Sequence, residues 1–407
     1  MRKGIVVQKY GGTSVGNADK IKNVAKRIVS YRKKGFDVVV AVSALGDTTD
    51  ELLEMAHSIN KIPSSRELDM LMSTGEQVSV SLLAMAIHKL GWGAISFTGS
   101  QVGIITDTRH TKARILDIDP ARIKQELKKG NVVIVAGFQG RSANEEITTL
   151  GRGGSDMTGV ALAKVLKANV CEIYTDVGGV YTADPRIVKD AKKLDSVSYE
   201  EMLELASLGA QVLQSRSVEV ASKFNIPIHV RSSFNNKEGT WITKEVKKME
   251  DVLVSGVTVN KNEAKVTICD VPDKPGVAVK IFKTLADADI NVDMIIQNIS
   301  RTGATDLSFT VNSSELSRTL KCSNEISRSI KAKGVTHDKD IAKVSVVGVG
   351  MKSHSGVASK MFKALASKKI NIGMISTSEI KISCVIEKAR ADAAVRAIHK
   401  EFKLNKR

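Results

Sequence analysis

A lysine and a pair of glycines lie side by side near the start of the chain. Residues 9–16 read Lys-Tyr-Gly-Gly-Thr-Ser-Val-Gly and directly follow the apolar run at 4–7. This pattern predicts a buried strand that leads through a glycine turn into a helix. Backbone N–H groups at such a turn can converge on an anion, and Lys9 adds a mobile positive charge. The spacing matches neither the dinucleotide-binding pattern nor a P-loop, and an ordinary strand–helix turn would also explain it.

An arginine between glycines forms a second candidate site. Residues 148–156 read Thr-Thr-Leu-Gly-Arg-Gly-Gly-Ser-Asp and lead into a predicted helix at 155–166. The small neighbours let the guanidinium of Arg152 reach a carboxylate as a planar fork. Such a pair contributes ~1.5–3 kcal/mol, enough to select an acidic substrate. Ser155 and Asp156 could instead be plain helix caps.

Three further polar residues are expected at the ends of predicted elements. Ser43 follows an all-apolar strand and Thr49 lies six residues later, so either hydroxyl could cap a helix. Glu76 is predicted to open an apolar helix, where a glutamate usually complements the helix dipole.

A loop after a predicted strand carries residues suited to a nucleotide. Thr175 and Asp176 follow the strand directly. An aromatic residue, an acid and a base come further on, at Tyr181, Asp184 and Arg186. Aspartate at the carboxyl end of a strand, with an aromatic and an arginine nearby, suits ribose and base on one side and phosphates on the other.

The elements that must position these residues alternate between short apolar runs and amphipathic stretches. This alternation predicts a mostly parallel sheet sandwiched by helices, with the candidate loops gathered in one cleft at the carboxyl ends of the strands. The predicted strands are 5–7, 38–42, 132–136 and 170–174, and the predicted helices include 18–32, 76–90 and 155–166.

Composition excludes several classes of protein. The 407 residues carry a net charge of +17, but aromatic residues make up only 4% and the basic residues are spread along the chain. Nucleic-acid binding is therefore disfavoured, and the positive field favours anionic substrates. No run reaches the ~18 uncharged apolar residues of a membrane span, and the early strand leaves no room for a signal peptide. The four dispersed cysteines favour a reducing cytoplasm and disfavour a zinc site, and the seven histidines show no metal-ligand spacing.

The second half contains an internal repeat. Residues 276–295 align with 356–375 at an offset of 80, with 12 of 20 positions identical. Each copy predicts a strand, a loop ending in glycine, a helix, and a strand that opens with Ile-Asn. A unit of ~60 residues buries its sheet poorly alone, so the two copies are expected to pack together. From the residues alone, the repeat could be a sensing module or a dimerisation module.

Taken together, these blocks resemble those of the aspartokinases, within the wider amino acid kinase superfamily. The opening block, 42–44, 73–76, 149–156 and 174–186 occur in the order of that family, and the two repeats resemble ACT domains. The resemblance implies an amino acid kinase fold followed by two α+β ACT domains. It places the catalytic domain at 1–245, the first ACT domain at 264–335, and the second at 252–263 plus 341–407.

The resemblance also implies an activity. A monofunctional aspartokinase transfers a phosphoryl group from ATP to the β-carboxylate of L-aspartate, which opens the route to lysine, threonine, methionine and diaminopimelate. Mg²⁺ is expected to arrive with the nucleotide rather than in a protein cage. Lysine, threonine or both are the expected effectors, and a homodimer or higher oligomer is expected to form through the ACT domains. Alternatives are a kinase for glutamate or acetylglutamate and a catalytically silent amino-acid sensor.

The same resemblance implies roles for individual residues. The catalytic residues are Lys9 and Asp156. The ATP-binding residues are Lys9, Tyr10, Gly11, Gly12, Thr175, Asp176, Tyr181, Asp184 and Arg186. The aspartate-binding residues are Ser43, Thr49, Glu76, Arg152, Gly153 and Ser155. The effector-binding residues are Asp273, Lys274, Gly276, Val277, Ala278, Asn291, Val292, Asp293 and Gln297 in the first copy, and Val357, Ala358, Asn371, Ile372, Ser378 and Glu379 in the second.

Overall fold

The chain divides into two compact units by its internal contacts. The computed structural model describes residues 3–209, 212–244, 253–298, 303–352 and 354–406. Unit 1 comprises Met1–Val180, Lys193–Ser207 and Gln211–Lys247, and unit 2 comprises Tyr181–Lys192, Leu208–Ala210 and Lys248–Arg407. The domain boundaries predicted at 245 and 252 fall outside the described residues.

Unit 1 is built on an eight-stranded sheet and a smaller four-stranded sheet. Its strands are β1 (Ile5–Tyr10), β2 (Asp37–Val42), β3 (Ala94–Phe97), β4 (Ile104–Thr106), β5 (Ile115–Ile118), β6 (Val132–Ala136), β7 (Gln139–Ser142), β8 (Ile147–Thr149), β9 (Val170–Thr175), β10 (Ser196–Ser198), β11 (Ile228–Ser232) and β12 (Thr240–Thr243). Its helices are α1 (Gly12–Val15), α2 (Ala18–Lys33), α3 (Thr48–Ile59), α4 (Ser65–Lys89), α5 (Ala121–Lys128), α6 (Gly154–Leu166), α7 (Tyr199–Ser207) and α8 (Ser215–Phe224).

The large sheet confirms the prediction of a mostly parallel arrangement. Its strand order is β10-β12-β11-β9-β1-β2-β6-β3, and within this sheet the only antiparallel pair among its described strands joins β11 to β12. Every residue of β2 is buried, as expected for a central strand covered on both faces. The small sheet has the order β5-β4-β7-β8.

Helix α2 shows how the sequence directs an element onto this sheet. The side chain of Asn17 caps it by accepting a hydrogen bond from the N–H of Lys20 at 2.9 Å. Ile21, Val24 and Ile28 recur at helical spacing and are all buried against the sheet core. This packing fixes the helix behind the glycine turn.

Helix α4 corrects one expectation. It begins at Ser65, so Glu76 lies in its interior and not at its start. Gly75, the residue before Glu76, allows close packing, because a Cβ there would come within 2.8 Å of the Ala44 Cβ. By length and mean hydropathy α4 could cross a membrane, but half of its most apolar window is buried in the structure, and so are Asp69 and Glu76, as in a core helix.

Unit 2 has its described strands in one antiparallel sheet, in the order β14-β15-β13-β16-β18-β17. Its strands are β13 (Gly256–Pro272), β14 (Val292–Gln297), β15 (Ala304–Asn312), β16 (Gly334–Val347), β17 (Met374–Thr377) and β18 (Lys381–Glu387), and its helices are α9 (Val277–Asp287), α10 (Leu316–Ser329), α11 (Val357–Ala366) and α12 (Ala391–Glu401). The two copies of the repeat therefore pack together through one shared sheet.

The long strand β13 serves both copies. On one edge its residues 256–269 pair with 347–334 of β16, and on the other edge its residues 263–272 pair with 312–304 of β15. In each copy the helix starts after a glycine with positive φ, Gly276 at +89° and Gly356 at +88°, a conformation that glycine adopts without strain. The strands that were expected to open at Ile-Asn begin later, at Val292 and Met374.

Candidate active site

An ion pair lies at the carboxyl end of β1. Lys9 points towards α6, and its Nζ lies 2.6 Å from Oδ1 of Asp156 in the first turn of that helix. Their side chains are only 12% and 8% exposed, so Lys9 is not a solvated surface charge. Helix α6 comes this close because Gly159 has no side chain, and a Cβ there would lie 3.2 Å from the Cβ of Lys9.

The glycine turn packs against the loop that follows β2. A Cβ on Gly12 would lie 2.7 Å from the carbonyl oxygen of Gly46, so only glycine fits there. Gly11 is the N-cap residue of α1. The side chain of Tyr10 is fully buried and stacks on Tyr174 with ring centroids 4.7 Å apart, so only its backbone is available to a ligand at the turn.

Two serines meet beside the ion pair. Ser43 follows β2, Ser155 lies in the first turn of α6, and their hydroxyl oxygens are 2.8 Å apart. Ser43 therefore does not cap a helix. Thr49 is the second residue of α3, whose N-cap is Asp47, so it is not the cap either.

Glu76 presents a buried carboxylate close to Ser43. It is 2% exposed, and its Oε1 accepts a hydrogen bond from the N–H of Ala44 at 3.2 Å. Its Oε2 has no hydrogen-bond partner among the described residues. Burial raises the pKa of Glu76 to about 7. A cation placed against Oε2 would satisfy this oxygen and favour the charged form.

Arg152 offers the complementary charge. It is exposed and makes no hydrogen bond or ion pair with any residue that the structure describes. Gly151 and Gly153 flank it with φ of +78° and +71°, and Gly153 is the N-cap of α6. The guanidinium is therefore available to a carboxylate ligand at the start of α6, three residues before Ser155.

The predicted nucleotide residues fall into both units. Thr175 and Asp176 lie at the carboxyl end of β9 in unit 1, where the Thr175 hydroxyl donates to Oδ1 of Asp176 at 2.9 Å. Tyr181, Asp184 and Arg186 belong to unit 2. There the guanidinium of Arg186 donates to Asp184 at 2.7–3.1 Å, which holds the pKa of Asp184 below its usual range.

The predicted effector residues all lie in unit 2. In the second copy, Val357, Ala358, Ser378 and Glu379 line one cavity of about 570 Å³. Asn371 is exposed, and Ile372 packs against the core of that copy.

In the first copy, the predicted effector residues at 276–278 stand at the start of α9, after the loop that holds Asp273 and Lys274. Asn291 precedes β14, Val292 packs against the core, and Gln297 is exposed at the end of that strand. Asp293 forms an ion pair with Lys343 of β16.

Two buried or partly buried polar residues near the site were not predicted from the sequence. Asp69 is fully buried in α4, and Arg216 of α8 donates to the carbonyl oxygens of Leu150 and Ala113 at 2.9 and 3.1 Å. No local motif identifies them, because every partner is distant in sequence. Among the described residues, no group of three or more histidines, cysteines or acids could hold a metal ion.

Models of known protein families match most of the chain. A sequence model of the amino acid kinase family matches residues 4–232, and models of the ACT domain match 265–322 and 344–402. An aspartokinase of Pseudomonas aeruginosa is 53% identical over 403 residues, which are 98% of both chains. The aspartokinase of Corynebacterium glutamicum is 52% identical over 409 residues, covering 98% of this chain and 96% of the relative.

Solved structures extend the likeness to the fold. E. coli aspartokinase III in complex with aspartate and ADP, in its R-state, superposes with a TM-score of 0.84 at 25% identity, covering 98% of this chain and 99% of that one. The same enzyme in complex with lysine and aspartate, in its T-state, gives a TM-score of 0.75, with the same identity and coverage.

Proposed function

Since the chain belongs to the aspartokinases, within the amino acid kinase family, and is therefore a phosphotransferase, we propose that it phosphorylates the β-carboxylate of L-aspartate with ATP. The products are 4-phospho-L-aspartate and ADP. The observation that carries this proposal is the pair of unmatched charges around Ser43 and Ser155. Arg152 offers an unpaired guanidinium and Glu76 a buried carboxylate oxygen without a partner. An amino acid with an acidic side chain supplies the carboxylate and the ammonium that these two groups lack.

Lys9 supports the transfer step. Phosphoryl transfer depends on alignment and on neutralising charge that spreads over the moving group, more than on covalent chemistry. The nearly buried ammonium of Lys9 lies beside the glycine turn, where it can meet the phosphates. Mg²⁺ arrives with the nucleotide in this proposal and neutralises phosphate charge when bound. On the family resemblance, Thr175 and Asp176, with Tyr181, Asp184 and Arg186, bind the nucleotide.

Trapping the acyl phosphate with hydroxylamine tests the proposal. Purified protein, ATP and Mg²⁺ are incubated with aspartate, glutamate, acetylglutamate or no acceptor, and hydroxamate is measured. Aspartyl hydroxamate alone is the expected product. If more hydroxamate forms with glutamate or acetylglutamate than with aspartate, the protein is a kinase for that acceptor and the proposed substrate is wrong. No hydroxamate with any acceptor would favour the silent amino-acid sensor.

The same proposal places the protein at the head of lysine, threonine, methionine and diaminopimelate synthesis, in the cytoplasm. All four cysteines are free thiols, which fits a reducing compartment. We further propose that lysine, threonine or both inhibit by binding at the ACT repeat, and that the chain forms a homodimer or higher oligomer through it. The cavity beside Ser378 and Glu379 supports a site for a small polar effector.

Regulation is tested by titrating lysine and threonine, singly and together, against kinase activity. Inhibition at millimolar levels, reduced by Gln297→Ala with basal kcat unchanged, is expected. Activity that ignores both amino acids would leave the repeat as an assembly module. Light scattering of the full chain measures the oligomeric state independently. The proposed domain boundaries are 1–245 for the catalytic domain, 264–335 for the first ACT domain, and 252–263 plus 341–407 for the second.

A further inference from the structure

Asp69 is a fully buried carboxylate whose two oxygens are both engaged. It lies on α4, and none of its surface is exposed. Its Oδ1 accepts a hydrogen bond from the hydroxyl of Thr149 at 2.5 Å, and Nδ1 of His110 lies 2.7 Å from its Oδ2. The backbone N–H of Thr111 donates to both oxygens, at 3.0 and 3.1 Å. A buried charge with this many partners fixes the segments that supply them.

One of these partners has an unusual backbone conformation. Thr111 has φ of +65°, which is rare for a β-branched residue. The two hydrogen bonds to Asp69 hold it there. In this conformation the carbonyl oxygen of Thr111 lies only 3.0 Å from the place where a Cβ of Gly151 would stand. The loop held by Asp69 therefore packs directly against the residue that precedes Arg152.

The other partner leads to the same turn by a second path. Thr149 ends β8, three residues before Arg152, and its carbonyl oxygen accepts a hydrogen bond from the N–H of Ala113 at 2.9 Å. Arg216 then joins the carbonyl oxygens of Ala113 and Leu150. The base of the turn is fixed on both sides, whereas the side chain of Arg152 is exposed.

We propose that Asp69 is a positioning residue for the substrate site, because it holds the turn that presents Arg152 to the carboxylate of the acceptor. This inference rests on the proposed function, since Arg152 must bind that carboxylate. Asp69 itself lies too deep to touch the acceptor and acts through Thr149, Thr111 and the glycine turn. Its loss should weaken acceptor binding and leave nucleotide binding intact.

Two adjacent threonines of β8 provide a matched pair of variants. Thr148 and Thr149 are both fully buried, and each hydroxyl makes a short hydrogen bond: Thr149 to Asp69 at 2.5 Å, and Thr148 to the hydroxyl of Thr106 at 2.6 Å. Thr149→Val and Thr148→Val keep the shape and remove one buried hydrogen bond each. Only the first cuts a link to Asp69.

The KM for aspartate and the KM for ATP are measured for both variants and for Asp69→Asn, with thermal unfolding as a check on stability. Asp69→Asn is expected to raise the aspartate KM by about tenfold or more, the cost of weakening one charge-assisted contact, and to change the ATP KM by less than about twofold. Thr149→Val should show the same selective rise, at least about threefold on the same grounds, and Thr148→Val should not.

Separate results would overturn the two proposals. If the wild-type protein forms no aspartyl hydroxamate, the proposed function fails and this inference with it. If the wild type is active but Thr149→Val and Thr148→Val behave alike, or both Michaelis constants rise together, only the positioning role fails. The valine pair keeps the test decisive even if Asp69→Asn does not fold.

Discussion

The ammonium of Lys9 lies 2.6 Å from the carboxylate of Asp156 and links the end of β1 to the first turn of α6. Both side chains are nearly buried, so each charge depends on the other for compensation. The pair stands next to Ser155, which contacts Ser43. A positive charge is thus held at the meeting point of the glycine turn and the proposed acceptor site.

The first prediction concerns Lys9→Met, which keeps an unbranched side chain and removes the charge. We expect kcat to fall by about 10²–10³ or more, because the charge is needed most as the phosphoryl group moves. The free energy of unfolding should also fall, since Asp156 loses its partner. Lys22→Met is the control, because Lys22 is 56% exposed and pairs with Asp19 on the surface.

A double variant separates these two effects. Lys9→Met with Asp156→Asn removes both charges, so stability should recover in urea unfolding while kcat stays low. A single variant that keeps a third of wild-type kcat would show that Lys9 has no catalytic role.

The second prediction follows from the buried carboxyl of Glu76. Burial raises its pKa from 4.5 to about 7 in the folded protein, whereas the unfolded chain keeps the ordinary value. The folded state therefore binds this proton more tightly, and the resulting stabilisation is complete below pH 4.5 and is lost as the pH rises through 7. Without aspartate, the free energy of unfolding of the wild type should fall by about 3 kcal/mol more than that of Glu76→Gln across this interval.

Aspartate binding supplies the second readout for Glu76. The carboxylate form favours the substrate ammonium, so the aspartate KM of the wild type should fall as the pH rises through 7, and that of Glu76→Gln should be flatter. Identical pH profiles for the two proteins in both measurements would contradict the assignment.

The sequence was most informative where local pattern and structure coincide. The apolar runs predicted β2 and β6 with their observed bounds to within one residue, because each is a continuous buried strand. The predicted helix start at Glu76 is wrong, because α4 begins at Ser65 and continues through Gly75, which permits close packing on Ala44. Contacts such as that between Asp69 and Thr149, 80 residues apart, leave no periodic trace in a single sequence.

The third prediction concerns Arg152. Replacing it by alanine should raise the aspartate KM by about tenfold or more, the value of a charge-assisted pair, and leave the ATP KM nearly unchanged. Arg152→Lys is the matched variant, because it keeps the charge but loses the planar fork, and an intermediate aspartate KM is expected. If the ATP KM rises instead and the aspartate KM holds, the two half-sites have been assigned the wrong way round.

The last prediction concerns a buried ion pair in unit 2. Lys343 of β16 is 2% exposed and contacts Oε1 of Glu263 at 2.9 Å, and it also pairs with Asp293 of β14. Burial lowers the pKa of Lys343, but the two acids more than offset this and raise it overall, so the ammonium stays charged. Glu263 lies on β13, where it pairs with Asn312 of β15 on one edge and with Ile341 of β16 on the other.

Lys343→Met should therefore destabilise the full chain by about 3–5 kcal/mol, because it leaves Glu263 buried and unpaired. Adding Glu263→Gln should restore much of the loss in urea unfolding. The pair of Lys261 with Asp392, at 2.7 Å, is the control because its side chains are 40% and 43% exposed, and Lys261→Met should cost less than about 1 kcal/mol. Since Asp293 is also a proposed effector residue, the response of Lys343→Met to lysine and threonine should change where that of Lys261→Met does not. Equal losses of stability in the two single variants would show that the buried pair does not join the two copies of the repeat.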